Sequence, residues 1–405
     1  LQINIIFIYL IYLNQYKFFI KKLIKSFIEI ITLFIMDYTL QIFKFPKYTI
    51  DEYFYKNKNL IITSSYENHA LFSLGYHHFI DRTRDAMSIT NKIDSKNDFY
   101  YVVNAFESNI QNYEETINTF AQRYIKNLNT PDNNFYKLWE IYFLFDIGNK
   151  NNINIYINDN EDSILKYRNK FYEKSKKDNI YKSISSKNKV DLLIFNNNEN
   201  NMLENNYIDK LLKYCVDILS SQNKNGELIL QVYDTFTLPT IKLLYLIVSL
   251  YEESYIYKPF FSRPSDSEKF IICKNYSNKN INDVIDNLNS IINENKGNLF
   301  INDIFNDVEV PDNFLKMFSF VNIKLVNTQQ ILINKIITYI KDNNYYGDKY
   351  HEYRNLQIES NKWWINYFFP DNKNYEPNKK HFMDLIKTTV NKNKLELQKF
   401  ESELN

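Results

Sequence analysis

The sequence predicts an α/β fold, an open sheet of short apolar strands covered on both faces by helices. Three observations predict it. Strand-like and helix-like segments alternate from residue 134 to residue 273. The strand-like runs at 153–157, 190–195 and 228–233 are almost continuously apolar, as strands buried on both faces must be. The segments between them carry helical spacing, which makes a parallel sheet with crossover helices the natural architecture.

The stretch 226–273 organises the rest. Its strand runs into Thr237 and Pro239, a cap and first-turn pair, and then into a helix at 241–250 that is apolar on nearly every side. Two more strands, 255–257 and 269–273, bracket a polar loop with a basic character, 258–267. Upstream, residues 134–147 place apolar side chains at 135, 138, 139, 142 and 145, which suits a helix packed on the sheet. Lys137 then lies near the start of that helix. Residues 207–221 are apolar at 208, 211, 212, 215, 218 and 219, an amphipathic helix. The strands at 153–157 and 190–195 end in NDNEDS and NNNENN, turn-forming runs.

Outside this block, residues 60–63 and 99–103 read as strands, and 76–87 as a basic, aromatic helix. Beyond residue 273 the spacing predicts helices at 282–293, 314–320 and 328–340, with Pro311 marking a break. An aromatic segment of mixed charge comes next at 344–369, and an exposed helix with sparse apolar contacts at 378–405. The expected organisation is an apolar and basic extension at 1–35, an N-terminal α/β region at 36–132, the sheet domain at 133–275, a helical aromatic-rich region at 276–370 and a tail helix at 371–405.

Composition narrows the function classes. With 405 residues, 44% hydrophobic and 24% charged, the chain can bury a large core. A net charge of +1 removes any bulk electrostatic case for nucleic acid and leaves only a local basic groove. The two cysteines, Cys215 and Cys273, sit in apolar periodic segments and read as small buried hydrophobes in a reducing, cytoplasmic setting. The apolar runs within 1–35 are interrupted by Gln15, Lys17, Lys21, Lys22, Lys25 and Glu29. Each falls short of the roughly 18 residues of a spanning helix. This segment is expected to be translation upstream of Met36, or an extension packed on the domain, and not a membrane anchor.

Several motifs together carry a family resemblance: KLWEI, VDLLIFN, NGELILQVYDTFTLPT and KPFFSRPSDSEKFIIC, with RTRDAM and FYYVVNAFE before them and INDIFNDVEVP and NNYYGDKYHEYRNLQ after. The chain resembles the FtsJ-type RNA 2'-O-methyltransferases, and more closely the mRNA cap methyltransferase-like members of large DNA viruses of eukaryotes. The similarity runs from about residue 36 to residue 370. The resemblance implies a Rossmann-like S-adenosylmethionine-methyltransferase sheet, a capped RNA as partner, and a host-cytoplasmic or virion location.

It also implies a Lys-Asp-Lys-Glu tetrad. A ribose hydroxyl is a poor nucleophile, so the site must hold it in line with the methyl group while a lysine of lowered pKa helps remove its proton. Lys137 and Glu268 match two tetrad positions. Asn196 stands where the aspartate belongs, and Gln231 where the central lysine belongs. An amide hydrogen-bonds but takes no proton at neutral pH. The family's glycine-rich cofactor turn is replaced by Asn158, Asp159, Asn160, Glu161 and Asp162, with no glycine between Gly148 and Gly226. Only about thirty residues separate this turn from Val190, so a strand and a helix at the adenosine edge are expected to be shortened or lost.

No cofactor is therefore expected, or S-adenosylmethionine if the protein is active. Asn158, Asp159 and Asp162 occupy the degenerate cofactor positions. Arg82, Arg84, Lys258, Ser262 and Arg263 are the candidate RNA contacts, each with a plainer alternative: a solvated helix face for the first two, and an ion pair between Arg263 and Glu268 for the loop. Lys137 could equally be a helix-end lysine whose stem lies along apolar surface. The aromatic residues of 344–369 could stack on a cap or form a satellite core. Two readings stay open: a pseudo-methyltransferase serving as an RNA-binding or partner-binding subunit, beside a capping enzyme for instance, or an active cap 2'-O-methyltransferase with a diverged site.

Overall fold

A seven-stranded mixed sheet organises the chain, in the order β1-β7-β8-β6-β5-β3-β4. The strands are β1 (Gln41–Lys44), β3 (Asn154–Ile157), β4 (Asn179–Tyr181), β5 (Val190–Phe195), β6 (Gln222–Val232), β7 (Tyr251–Lys258) and β8 (Lys269–Tyr276). A two-stranded sheet pairs β2 (Leu60–Thr63) antiparallel with β9 (Phe300–Ile304). This computed structural model describes residues 39–405 except 50–54, 58, 64–75, 93–101, 109–115, 126–127, 129–130, 173–176, 185–188, 197–203, 278–281, 296–299, 343–346 and 405. Residues Leu1–Leu40 and Gln41–Asn405 are separate units, and both sheets with their helices belong to the second. The expected extension at 1–35 lies outside the described residues, as do 99–101 of the strand expected at 99–103; Val102 and Val103 are not in a strand.

The expected parallel pairing holds in one half of the sheet, where β4, β3, β5 and β6 run together. The other half is antiparallel, because β7 turns back through the 259–268 loop into β8, which inserts between β6 and β7. The strands of that hairpin have eight residues each, longer than the expected three and five. β1 then pairs antiparallel with β7 and forms the edge. Among the described residues between β3 and β5 there are one helix, Asp162–Phe171, and one three-residue strand, in keeping with the shortened edge expected there.

The helices arise from apolar periodicity and caps. They are α1 (Tyr76–Asp85), α2 (Ile117–Gln122), α3 (Asn133–Phe145), α4 (Asp162–Phe171), α5 (Glu204–Ser221), α6 (Leu238–Ser249), α7 (Asn282–Glu294), α8 (Asp312–Lys341), α9 (Asp348–Phe368) and α10 (Asn372–Leu404). Asp132 caps α3 by accepting the Phe135 N–H at 2.9 Å, and Asp146 ends it in the left-handed region at φ 56°. Where two helices were expected at 314–320 and 328–340, α8 is one helix of 30 residues. No glycine or proline interrupts it, and buried Val321 and Val326 carry the apolar face across the gap.

Strand alternation divides the core. Leu193, Phe195, Leu228, Leu230 and Val232 join α5, α6, α7 and the first half of α8 in one large cluster. Their neighbours in sequence, including Gln231, face the opposite side, where α3 lies. There Phe145 packs on Tyr257, and Trp139 stacks on Phe369 with centroids 4.1 Å apart. Cys215 and Cys273 are unpaired and buried, and burial pushes the Cys273 thiol up to about 12. Among the described residues, no helix is long and apolar enough to cross a membrane.

Candidate active site

Lys137, Gln231 and Glu268 meet on the α3 face of the sheet. Lys137 comes from the second turn of α3, Gln231 from the penultimate residue of β6, and Glu268 from the residue before β8. The pairing of Gln231 with Phe270 fixes Glu268 just beyond the end of the ladder, within reach of both. Lys137 Nζ stands 2.8 Å from each carboxylate oxygen of Glu268 and 3.2 Å from Asn134 Oδ1. Gln231 Nε2 donates to Glu268 Oε1. All three side chains are buried. Burial alone would raise the Glu268 carboxyl, but the Lys137 ammonium overrides it and holds the group below its ordinary value.

Asn196 does not join them. At the carboxyl end of β5, its Nδ2 donates to Asp159 at 2.7 Å and its backbone N–H donates to Asn158 Oδ1 at 2.7 Å. These two bonds tie the ends of β3 and β5 together across the crevice where ligands enter parallel α/β sheets. Asn158 also reaches Tyr214 at 3.4 Å, and Lys182 holds the backbone of Asp159 at 2.8 Å and the side chain of Glu161. Beside this plug remains a cleft of ≈ 130 Å³, lined by Asp132, Asn134, Phe135, Leu138, Asp159 and Asp162 among others. That is below the roughly 300–1,000 Å³ of drug-sized ligand sites. These residues do not fit the methionine end of S-adenosylmethionine: a turn without glycine, its side chains bonded across the crevice, leaves no backbone cradle.

Of the remaining candidates, Lys258 is buried, and its Nζ donates to the carbonyls of Asp266 and Glu268, both at 2.7 Å. Burial outweighs the attraction of Glu268 and Asp266 and draws its ammonium down to about 8. Arg263 pairs with Glu107 at 2.7 Å, not with Glu268, whose partner is Lys137. Ser262 is buried in the same loop. Arg84 forms a two-pronged pair with Asp234 at 2.7 and 2.8 Å, which pins α1 to the end of β6. Arg82 is exposed. Trp364, from the aromatic segment, is fully buried and packs on Tyr136 and Phe261, while Trp363 packs on Phe260.

Sequence reasoning missed four partners: Asn134, Glu107, Asp234 and Glu140. Glu140 is fully buried and accepts from Trp364 Nε1 and Phe260 N, both at 2.9 Å, and from the Tyr257 hydroxyl. Burial outweighs these three donors and raises its carboxyl to about 7. A signal was present: Glu140 is a lone carboxylate in LWEIYFLF, with an apolar or aromatic residue at every other position. Such a group needs dedicated donors.

No family model matches the chain. It is 30% identical over 254 residues to an uncharacterized protein of Acanthamoeba polyphaga mimivirus, across 60% of this chain and 68% of that one. Over 89 residues it is 38% identical to the cap-specific mRNA (nucleoside-2'-O-)-methyltransferase 1 of Dictyostelium discoideum, covering 21% of this chain and 12% of that protein. Over 92 residues it is 34% identical to the cap-specific mRNA (nucleoside-2'-O-)-methyltransferase of Autographa californica nuclear polyhedrosis virus, covering 19% of this chain and 35% of that protein. The matches thus span a small part of the length of each named methyltransferase.

Proposed function

Because the chain belongs to the cap-specific mRNA 2'-O-methyltransferase family, we propose that it is a catalytically silent member that keeps the scaffold for binding, either to capped RNA or to a protein partner such as a capping enzyme. One observation carries this reading. The buried side chain at the centre of the site is the amide of Gln231, donating to Glu268, where the reaction requires a lysine that can accept a proton. The two lysines beside it are engaged elsewhere. Lys137 is held by Glu268, and Lys258 by two backbone carbonyls. The Asn158–Asp159–Asn196 plug supports the same reading on the cofactor side.

Calorimetric titration with S-adenosylmethionine and with its demethylated product tests the proposal, and no heat is expected from either. Micromolar binding together with methyl transfer to capped RNA would overturn it. That outcome belongs to the alternative, a working transferase with a diverged site, which the retained Lys137–Glu268 pair favours. Gel shifts with capped and uncapped RNA separate the two binding roles: a shift supports the RNA role, and indifference to both RNAs leaves the protein partner as the better reading.

A further inference from the structure

We infer that the outer face of α10 is a tract for the phosphate backbone of single-stranded RNA, an inference that rests on the RNA-binding form of the function proposed above. Lys373, Lys380, Lys387 and Lys394 recur every seven residues along this helix, and all four are exposed. At 3.6 residues per turn and 1.5 Å rise, seven-residue spacing drifts only about 20° per step, so the four ammonium groups form one stripe about 32 Å long. Lys392 and Lys399 are also exposed, about 140° around the helix from Lys387 and Lys394 and so outside the stripe.

The opposite face of the helix is committed to the body. Phe382 is buried and stacks on Phe368 with centroids 4.8 Å apart. Asn393 donates to the Ile42 carbonyl at 2.7 Å. The ion pairs sort the charges: Glu396 turns inward to Lys324, and the inward-facing Lys379 meets Asp146. Six lysines therefore face solvent against Glu376, Asp384 and Glu403; Asp384 lies 3.9 Å from Lys387.

The chemistry of the stripe selects its occupant. Lysine is depleted from protein interfaces, which are anchored by buried aromatic and arginine side chains. The exposed apolar side chains here, Met383 and Leu395, are isolated among polar neighbours. A lysine ammonium serves as a point charge for phosphate, and the tyrosine and phenylalanine that fall between these lysines, Tyr375 and Phe382, pack instead on Phe171 and Phe368. The contact would therefore be to the backbone and indifferent to sequence.

Fluorescence anisotropy of the full chain with a short, uncapped, single-stranded RNA, repeated from about 50 to about 200 mM salt, tests this. The quadruple variant K373Q/K380Q/K387Q/K394Q should keep the wild-type circular dichroism and thermal midpoint, since all four positions are exposed. Its plot of log affinity against log salt should be shallower by about 2.8, since each neutralised phosphate of a single strand contributes about 0.7. An unchanged slope would overturn the stripe and leave the RNA reading intact. A wild-type chain that ignores RNA would overturn both. Capture of polyglutamate but not RNA by the wild type, lost in the variant, would overturn the RNA tract in favour of an acidic protein partner.

Discussion

Removing the ammonium of Lys137 isolates a carboxylate. In K137M, Glu268 keeps the Gln231 amide but loses the cation that stands 2.8 Å from both its oxygens, in a site where its side chain is 8% exposed. Breaking a buried pair by deleting one partner costs about 3–5 kcal/mol, and the surviving amide bond places this variant near the lower end. E268Q should cost a similar amount, because the Lys137 ammonium is left buried against neutral amide oxygens, the substituted side chain's and Asn134 Oδ1 at 3.2 Å, with no carboxylate to balance its charge. The double variant K137M/E268Q removes both charges at once, so it should be more stable than the sum of the singles by about 2 kcal/mol. Urea unfolding monitored by tryptophan fluorescence measures all four proteins; Trp139 on the same helix and Trp364 beside it are fully buried.

The pH dependence supplies an independent check. In the wild type the folded Glu268 carboxyl lies below its ordinary value, so its contribution is present above about pH 4.5 and is lost as pH falls through the folded value. In K137M the largest group opposing burial is gone and only the weaker pull of Lys258 and Ser262 remains, so the folded value rises and the stability lost on acidification should shrink. Additivity of the two substitutions within about 0.5 kcal/mol, or a pH profile for K137M that matches the wild type, would refute this account of the site.

Three further outcomes are expected. Glu140 carries the opposite pH sign: its folded carboxyl is raised to about 7 from 4.5, so its contribution is full below about 4.5 and is lost as pH rises through 7. That amounts to about 3 kcal/mol, and the difference in unfolding free energy between about pH 4 and about pH 8, taken from urea titrations, should shrink by about that amount in E140Q. Gln231→Lys alone, and Gln231→Lys with Asn196→Asp, should yield no methyl transfer to capped RNA by mass spectrometry, because the 158–162 turn still fills the crevice. Lys242→Met should destabilise the fold by about 2–4 kcal/mol in thermal unfolding: this buried lysine reaches the carbonyls of Ile304 and Phe305 at 3.0 Å each and Asp303 at 2.8 Å, tying α6 to β9.

Much of the sheet was legible in the chain. Val190–Phe195 forms β5 with the expected bounds, because a six-residue apolar run between turn-forming segments has few other solutions. Helix α3 matches its periodicity to within two residues at its C-terminal end, with the Asp132 cap fixing its start. The hairpin of β7 and β8 was under-read, since Glu252, Glu253 and Lys274 break its apolar pattern although they lie in strands. α8 was divided in two for a similar reason: polar residues between 322 and 328 interrupt the stripe but not the helix.

What the sequence by itself determined is local: where backbone hydrogen bonds close into strands and helices, and which residue types stand at the four positions of the resembled tetrad. Those identities, with Gln231 and Asn196 in place of an ionisable pair, needed no coordinates. The pairing of charges was decided only by the tertiary structure. Arg263 chose Glu107, Arg84 chose Asp234, and Asn196 turned to Asp159, across 156, 150 and 37 residues of chain. Charge partners depend on which side chains are desolvated together, and that is set by packing between elements, which residue spacing within one element does not encode.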